Sequence, residues 1–330
     1  MVTSSENTKY VDVSIVIVNW KTRDELQTCL SSLSPFDSTT VEIIVVDNAS
    51  NDGSVEMVQS EFPNVHIIAN PANFGFAKAA NIGITASQGR YILLLNPDTK
   101  AQPNLLPPLI QFADENPDIG IIGPKILNPD GSLQYSCRRF PSIIAAAFRN
   151  TFLGKLFPRN PYTRDYLMAE WDHSEVKDVD WVSGAAMFVR RKLLNEIGLL
   201  DERFYMYCED VDLAFRAWKH GWRVTYYPHV SVTHTIGRSS DRCPNRMIIE
   251  FHKSMYRLYS KHYAPTPLSP KRLIVLLGLV ARASTIILRN YMNYTRWLVY
   301  TKILHPTLQQ FSHMKKKLAH ENAKEHSSEG

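Results

Sequence analysis

The stretch Val13-Ser14-Ile15-Val16-Ile17-Val18-Asn19-Trp20 decides the fold, because an apolar and largely β-branched run ends there in polar residues. A run that is apolar nearly throughout is typical of a strand covered on both faces of a parallel sheet. Three similar runs follow, at Glu42–Val46, Val65–Ala69 and Tyr91–Leu95. Amphipathic segments that predict helices lie between them, at Arg23–Leu33, Ser54–Glu61 and Phe76–Ser87. This alternation predicts an α/β fold built on a mostly parallel sheet flanked by helices.

A polar cluster follows each of the four predicted strands. In an open parallel sheet the ligand crevice lies beyond the carboxyl ends of the strands, so the four clusters are expected to converge on one site. They are Asn19-Trp20-Lys21, Asp47-Asn48-Ala49-Ser50, Asn70-Pro71-Ala72-Asn73 and Asn96-Pro97-Asp98-Thr99.

The pattern changes in the second half of the chain. Phe140–His173 is rich in Pro, Arg and aromatic residues, and its length predicts a helical lid or a mobile acceptor loop. Asp180–Arg190 predicts a strand with small residues inside it, which allow a ligand to approach closely. A helix over Glu209–His220 and two closing strands complete the regular pattern; the strands are Trp222–Tyr227 and His229–His234.

Length, composition and charge bound the class of protein. The chain has 330 residues of which 44% are hydrophobic, which excludes a disordered, collagen-like or disulfide-stapled chain. Residues 1–240 hold 22 Lys and Arg against 27 Asp and Glu, whereas residues 241–330 hold 15 against 5. A basic tail of this length usually contacts an anionic partner, either nucleic acid or a membrane surface.

The pattern of basic and apolar residues in the tail favours a membrane surface as its partner. If Lys271–Arg296 is one helix, its basic residues fall within an arc of about 40° beside a broad apolar face, as in a helix that lies in a membrane interface. They are Lys271, Arg282, Arg289 and Arg296. A helix packed on the catalytic domain or in a homo-oligomer is the alternative. Nucleic acid is not predicted as a partner, because aliphatic residues interleave the basic ones.

No transmembrane helix and no secretory signal are predicted. The longest charge-free apolar run of the tail, Leu273–Ala281, has nine residues, where a spanning helix needs roughly 20. The polar segment 1–11 lacks the apolar core of a signal peptide. Four cysteines without a C-x-x-C pair suggest no zinc site and fit a reducing compartment; they are Cys29, Cys137, Cys208 and Cys243. A cytoplasmic protein, peripheral on the inner face of the cell membrane, is therefore expected.

Six sequence blocks in this order resemble the family 2 glycosyltransferases, and more narrowly their bacterial rhamnosyltransferase-type branch. The resemblance spans residues 12–240 and implies a GT-A fold, a nucleotide-diphosphate-sugar donor, a divalent metal (Mg²⁺ or Mn²⁺) and inversion at the anomeric carbon. It divides the chain into a nucleotide-sugar half (12–125), an acceptor and catalytic half (126–240) and a basic C-terminal helical region (241–330). The blocks are Val13–Trp20, Val45–Ser50, Asn73–Asn81, Leu95–Asp98, Trp181–Ala185 and Glu209–Asp212.

The expected metal site follows from the leaving diphosphate, whose developing charge a bound cation can neutralise. Asp98 is the natural carboxylate ligand, and the resemblance makes His234 the second protein ligand. The family pattern at this point is Asp-x-Asp, from which the sequence departs with Asn96. A neutral amide is a weaker metal ligand, so Asn96 is assigned to the donor ribose or phosphate. The alternatives are that Asp98 caps a helix starting near Pro103 and that His234 is a satisfied polar side chain.

Four further residues are predicted to bind the donor. Asp47 ends a strand, where an acidic group typically accepts hydrogen bonds from a nucleotide ribose or base, although an Asx turn is compatible with the same sequence. Lys78 lies at the start of a helix and could reach a phosphate, or it could be a solvated surface lysine. Asn19 and Asn73 are placed in the same crevice.

The predicted general base is Asp210. Direct inverting transfer needs one group that deprotonates the acceptor hydroxyl, and in the family the second carboxylate of the Glu209-Asp210 pair does so. Glu209, with Trp181 and Gly184, is assigned to the acceptor side. Alternatively, both acids simply favour a helix N-terminus. A retaining mechanism would need a nucleophilic carboxylate, for which no separate candidate is present.

The resemblance therefore predicts transfer of a sugar, L-rhamnose from dTDP-rhamnose, to an acceptor of cell-envelope glycan synthesis. That acceptor is expected to be a polyprenyl-diphosphate-linked saccharide or a polysaccharide. A sugar-nucleotide pyrophosphorylase is the first alternative, but Val18-Asn19-Trp20-Lys21 has none of the expected Gly-rich, Arg-bearing nucleotide loop. A non-catalytic carbohydrate-binding protein, the second alternative, would not need acids at both Asp98 and Asp210.

Overall fold

The computed structural model describes residues 10–33, 40–149, 151–235 and 244–299. The predicted N-terminal segment 1–11, apart from Tyr10 and Val11, lies outside these residues, as do Cys243 and the chain after residue 299.

The first half consists of alternating strands and helices, as predicted. Its strands are β1 (Val13–Asn19), β2 (Val41–Asp47), β3 (His66–Ala69), β4 (Tyr91–Leu95), β5 (Thr99–Ala101) and β6 (Ile119–Leu127). Its helices are α1 (Arg23–Ser32), α2 (Ser54–Glu61), α3 (Phe76–Ala86) and α4 (Leu106–Glu115).

The second half contains shorter elements before a long closing strand. The strands are β7 (Leu133–Gln134), β8 (Cys137–Arg138), β9 (Lys177–Asp178), β10 (Trp181–Val182), β11 (Ala186–Arg190) and β12 (Arg223–His234). The helices are α5 (Ile143–Phe148), α6 (Phe152–Leu156), α7 (Pro161–Tyr166), α8 (Arg191–Ile197), α9 (Glu209–Lys219), α10 (Pro244–His262) and α11 (Pro270–Val299).

The main sheet has the order β3-β2-β1-β4-β11-β6-β12-β5, and β1 to β4 are mutually parallel. The chain moves outward from β1 to β3 and then returns through α3 to place β4 on the other side of β1. A ligand crevice forms at such a switch point, beyond the carboxyl ends of the two strands. The polar residues after β1 and β4 therefore flank this crevice.

Alternate side chains of the central strands pack on opposite sides of the sheet. Val16 and Val18 belong to the core that includes α3 and α9, whereas Val13, Ile15 and Ile17 belong to the core that includes α1 and α4. All seven residues of β1 are buried. The prediction of a mostly parallel sheet covered on both faces is confirmed.

Two predicted boundaries in the second half are wrong. Asp180–Arg190 does not form one strand, because β10 pairs with β8 in a separate two-stranded sheet, and the chain joins the main sheet only at Ala186. The backbone between them instead bonds to Ser136, Asp210 and Asn96. The two closing strands form a single strand, β12, with an irregularity between Tyr227 and Ser231.

The segment Phe140–His173 contains the three short helices α5, α6 and α7, which corresponds to the helical alternative of the prediction. Downstream, α9 covers the helix predicted over Glu209–His220 to within one residue. Its apolar residues at spacings of i, i+3, i+4 and i+7 lie in or against the core, with Val211 and Ala214 buried and Phe215 and Trp218 partly buried.

The C-terminal region is helical, as predicted, and the absence of a transmembrane helix stays a prediction, because the last helix is a candidate membrane span. Among the described residues, one helix, Pro270–Thr295, is long and apolar enough to cross a membrane by length and composition alone. The charge-free apolar run in the sequence ends before Arg282, whereas α11 continues without a break through that arginine. The chain divides into two compact units, Met1–Val275 and Leu276–Gly330, so most of α11 lies in the second.

Candidate active site

Buried hydrogen bonds join the residues that follow β1 and β2. Asn19, whose side chain is completely buried, donates from Nδ2 to Asp47 Oδ1 (2.7 Å) and to Ser50 Oγ (3.0 Å). Asp47 also accepts from the backbone N–H and the hydroxyl of Ser50, which forms the Asx turn considered from the sequence. Asn19 therefore holds Asp47 in place, and direct donor contacts by Asn19 and Asp47 stay predictions.

The same network extends to the loop before α3. Asn48 donates from Nδ2 to the Gly75 carbonyl oxygen (3.1 Å) and accepts from Asn70 Nδ2 (2.9 Å). Gly75 has φ +84°, and a Cβ at that position would lie 2.3 Å from the Tyr205 carbonyl oxygen. The residue is therefore restricted to glycine by close approach to the segment before α9.

Two predicted donor residues lie on this loop. Asn73 accepts the Gly75 N–H through Oδ1 (2.9 Å), which shapes the turn into α3. Lys78 is exposed on the first turn of α3, with Nζ 4.7 Å from the centre of the Phe74 ring. Its charge lies near the positive end of the α3 dipole, a combination that favours an anion.

Asp98 and His234 meet across the ends of β4 and β12. The distance from Asp98 Oδ1 to His234 Nε2 is 3.3 Å, and both side chains are largely buried. The backbone bond from Thr235 N–H to the Asp98 carbonyl oxygen (3.0 Å) ties the two segments together. Asn96 points to the same place, with Nδ2 3.5 Å from His234 Nε2. The structure thus brings together three residues that are up to 138 positions apart in the chain.

Gln134, which the sequence analysis missed, orients the His234 ring. Gln134 donates from Nε2 to Asn128 Oδ1 (2.9 Å), so its Oε1 faces His234 Nδ1 at 2.7 Å and accepts the ring proton. His234 Nε2 is then the ring nitrogen that faces Asp98. Metal-ligating histidines are usually held by such a bond at the other ring nitrogen. Gln134 lies on the two-residue strand β7, which is too short to show a periodic pattern in the sequence.

These side chains fit a divalent cation. A carboxylate oxygen and an imidazole nitrogen of fixed tautomer converge, and such groups serve as ligands for Mn²⁺ and related ions. Among the described residues no group of three His, Cys, Asp or Glu side chains could hold a metal, so further ligands would have to come from substrate or water. A crevice of about 340 Å³ opens beside Asp98, lined also by Asp24, Glu25 and Thr235.

Asp210 lies at the start of α9 and faces the break between β10 and β11. The Gly184 backbone N–H donates to Asp210 Oδ2 (3.0 Å), and the Val211 N–H donates to Oδ1 (2.8 Å). Burial raises the pKa of the Asp210 carboxyl above its ordinary value, although these two N–H groups and the charge of Arg138 oppose the rise. Hydrogen bonds and a nearby cation favour the ionised form, which is the form a base needs.

Glu209 is buried at 6% exposure, and its Oε2 has no hydrogen-bond partner among the described residues. Burial, and next the charge of Asp210, raise the pKa of the Glu209 carboxyl well above its ordinary value. Of the two adjacent acids, Glu209 therefore has the stronger tendency to hold a proton, and Asp210 has the stronger tendency to ionise.

A guanidinium group that the sequence analysis missed lies on the acceptor side. Arg138 is opposite Trp181 in the β8–β10 pair, and its guanidinium carbon is 5.1 Å from the centre of the Trp181 ring. Trp181 is buried and donates from Nε1 to the Arg139 carbonyl oxygen (2.8 Å). Arg138 is half-buried and its charge acts on Asp210.

The Asp98–His234 site and the Glu209–Asp210 acid pair are joined through the tripeptide at residues 183–185. Ala185 accepts the Asn96 N–H through its carbonyl oxygen (2.9 Å), while the preceding Gly184 N–H binds Asp210. Ser183 N–H in turn donates to the Ser136 carbonyl oxygen (2.7 Å). A pair of side chains that fits a cation and a carboxylate at a fixed position relative to it suit transfer of a group from a diphosphate to a hydroxyl.

This architecture is that of a glycosyltransferase of the GT-A fold, and comparison with known proteins agrees. The model of glycosyl transferase family 2 matches residues 14–198. A Mycobacterium tuberculosis protein, N-acetylglucosaminyl-diphospho-decaprenol L-rhamnosyltransferase, is 32% identical over 293 residues, covering 86% of this chain and 94% of the relative. The Escherichia coli rhamnosyltransferase WbbL is 26% identical, covering 67% of this chain and 83% of the relative.

Solved structures support the fold at low sequence identity. A Pyrobaculum calidifontis mannosyltransferase solved with GDP-mannose and Mn²⁺ has a TM-score of 0.52 at 16% identity, over 84% of this chain and 70% of that one. Staphylococcus aureus TarS has a TM-score of 0.53 at 16% identity, over 82% of this chain and 43% of that one. The chain belongs to glycosyltransferase family 2 and is an enzyme of that class.

The buried carboxyl of Glu209 is expected to make the free energy of unfolding depend on pH. A carboxyl whose folded-state pKa is raised stabilises the fold fully below its unfolded pKa, about 4.3, and that contribution is lost as the pH rises through the folded-state value. We expect Glu209→Gln to have a higher free energy of unfolding than the wild type at pH 8, and the difference to shrink towards pH 4.

Urea unfolding of both proteins across this pH range measures the effect. Glu175→Gln, which changes an exposed glutamate in the same way, is the control and should follow the wild type. A Glu209→Gln curve parallel to that of the wild type at every pH would show that Glu209 is ionised in the fold.

Proposed function

We propose that this enzyme is an inverting rhamnosyltransferase that uses dTDP-L-rhamnose and acts on a polyprenyl-diphosphate-linked saccharide in cell-envelope glycan synthesis. The observation that carries the mechanism is the position of Asp210, held by the Gly184 N–H next to the segment that bonds to Asn96. The identity of the sugar and the lipid-linked acceptor are supported by the M. tuberculosis relative, whose name gives both for that protein.

In the proposed step the acceptor hydroxyl oxygen attacks the anomeric carbon from the face opposite the diphosphate. The bond from that carbon to the diphosphate oxygen breaks, its electron pair leaves with the nucleoside diphosphate, and Asp210 takes the hydroxyl proton. Products are the inverted glycoside, the nucleoside diphosphate and a protonated Asp210. The neutral Glu209 adds no second negative charge beside the base.

The donor would bind along the ends of β1, β2 and β4. Lys78 would contact a phosphate of the donor. The hydrogen-bonded network of Asn19, Asp47 and Ser50 would form a rigid surface against the nucleoside. Asn96, a neutral amide beside His234, would contact the donor ribose or phosphate. Trp181 and Gly184 would border the acceptor.

A divalent cation held by Asp98 and His234 would neutralise the charge that develops on the leaving diphosphate. Gln134 supports this role, because its bond to Nδ1 leaves Nε2 as the ring nitrogen that faces the carboxylate and would bind the cation. The Mn²⁺ in the structurally similar mannosyltransferase supports the same ion here.

Replacing Asp210 with Asn tests the base. Removal of a general base typically lowers turnover by about 10²–10⁴-fold, and we expect a loss in kcat of that order with donor binding and thermal stability retained. The measurement is rhamnosyl transfer to a polyprenyl-diphosphate acceptor under saturating substrates. A folded Asp210→Asn enzyme with wild-type kcat would exclude Asp210 as the base.

The metal assignment is tested by calorimetric titration of dTDP with and without Mn²⁺. Asp98→Ala should abolish the gain in affinity that Mn²⁺ gives the wild type. Gln134→Leu should weaken Mn²⁺ affinity by about 10–100-fold, the usual cost of losing the partner of a ligating histidine. Gln102→Leu, at an exposed position, is the matched control. Equal Mn²⁺ dependence in Asp98→Ala and the wild type would contradict the proposed ligand.

We propose further that α11 lies in the interface of the inner membrane face rather than across the bilayer, because arginines recur along its apolar sequence at positions 272, 282 and 289. Alkaline carbonate is expected to release the full-length protein from membranes, and removal of residues 276–330 to weaken membrane association in neutral buffer. Retention of the full-length protein after carbonate extraction would instead indicate a spanning helix.

A further inference from the structure

The helices between β8 and β9 carry a concentrated apolar surface. Among the described side chains between residues 10 and 235, nine large apolar ones are exposed; six of these fall within 20 residues of sequence, each 45–59% exposed. They belong to α5, α6, α7 and the turn between the last two, which are here called the helical insertion (residues 143–166). Exposed apolar side chains concentrated in this way mark interaction sites on soluble domains. They are Ile143, Ile144, Leu153, Leu156, Phe157 and Tyr162.

The same segment is strongly basic in an otherwise acidic domain. Residues 138–166 contain six Lys and Arg and one acidic residue, whereas the rest of residues 1–240 contains 16 basic and 26 acidic residues. Lys155 and Arg159 are exposed beside Leu156 and Phe157. An apolar surface with adjacent cations matches the headgroup region of a membrane that contains anionic lipids.

The helical insertion is anchored to the helix that carries Asp210. At its base the Phe140 N–H donates to Asp180 Oδ2 (2.6 Å), and the Phe140 ring lies 3.8 Å from that of Phe215 on α9. At its end the carbonyl oxygen of the buried Tyr166 accepts the Arg139 N–H (3.0 Å). Whatever binds the helical insertion is therefore held at a fixed position relative to α9.

We propose that the helical insertion docks on an anionic membrane surface and presents the acceptor side of the site to its lipid-linked substrate. Its apolar side chains enter the headgroup region while Lys155 and Arg159 contact lipid phosphates. The acidic remainder of the domain is repelled by the same surface, which orients the molecule. The lipid-linked acceptor in this proposal rests on the proposed function.

A second copy of the chain is the competing occupant of this surface. Isologous pairing would bring two strongly basic segments together, and like charges oppose such an interface. The charge distribution therefore favours a membrane over a dimer.

Vesicle sedimentation of the full-length chain tests the proposal. We expect tighter binding to vesicles of equal parts phosphatidylcholine and phosphatidylglycerol than to phosphatidylcholine alone. The double variants Leu156→Ser/Phe157→Ser and Lys155→Glu/Arg159→Glu should each weaken binding to the anionic vesicles by about tenfold or more. Because α11 is unchanged in both, a loss is attributable to the helical insertion.

Val176→Ser and Lys192→Glu make the same kinds of change at exposed positions outside the helical insertion, and should bind anionic vesicles like the wild type. Equal binding by the wild type and both double variants would overturn the proposal. So would a wild-type dimer, seen by sedimentation velocity without lipid, that Leu156→Ser/Phe157→Ser converts to a monomer.

Measurements of sugar transfer distinguish a failure of this proposal from a failure of the proposed function. With an acceptor whose lipid is short enough to dissolve in water, the double variants should transfer sugar at the wild-type rate, which also shows that they fold. With the long-chain acceptor in anionic vesicles their KM should rise. Absence of rhamnosyl transfer by the wild type with every acceptor would refute the proposed function, whatever the result of the vesicle sedimentation.

Discussion

The hydrogen bond from the Gly184 N–H to Asp210 is the contact on which the arrangement of the site depends. It exists because the chain leaves the β8–β10 pair at Val182 and enters the main sheet only at Ala186, so the intervening amides are free to bond elsewhere. One residue later, Ala185 accepts the Asn96 N–H. A single tripeptide thus sets the position of the acid pair relative to the end of β4, where Asp98 and His234 meet.

The two adjacent acids are differentiated by their surroundings rather than by their chemistry. Asp210 receives two backbone N–H groups and the field of Arg138, whereas Glu209 Oε2 is buried with no partner among the described residues. Two ionised carboxylates in this position would repel each other at low dielectric, so the more deeply buried acid takes the proton. Burial of Glu209 therefore favours the ionised form of Asp210, so that one acid of the pair remains available as a base.

The sequence predicted the sheet and the site residues that lie at strand ends, because apolar periodicity and polar strand ends are both local signals. Asn96, Asp98 and His234 do meet, as the resemblance implied. Gln134 and Arg138 were missed because each lies on a two-residue strand, which has no periodicity to detect. The break inside Asp180–Arg190 was missed for a different reason: β10 pairs with β8 rather than with the main sheet, and a pairing between residues so far apart in the chain leaves no local signal in the sequence.

The prediction for α11 shows that a charged residue in the sequence does not by itself mark the end of an apolar helix. The apolar run was counted as nine residues because it was ended at Arg282, but an arginine can extend its guanidinium towards water while its stem lies along an apolar surface. The same property explains how basic residues and large apolar side chains can share the helical insertion. Basic residues are in excess in the helical insertion and in the chain after residue 240, whereas acidic residues are in excess in the rest of residues 1–240. The proposed lipid-linked acceptor would need both kinds of surface, since its reacting hydroxyl would have to reach a carboxylate while its lipid remained in an anionic membrane.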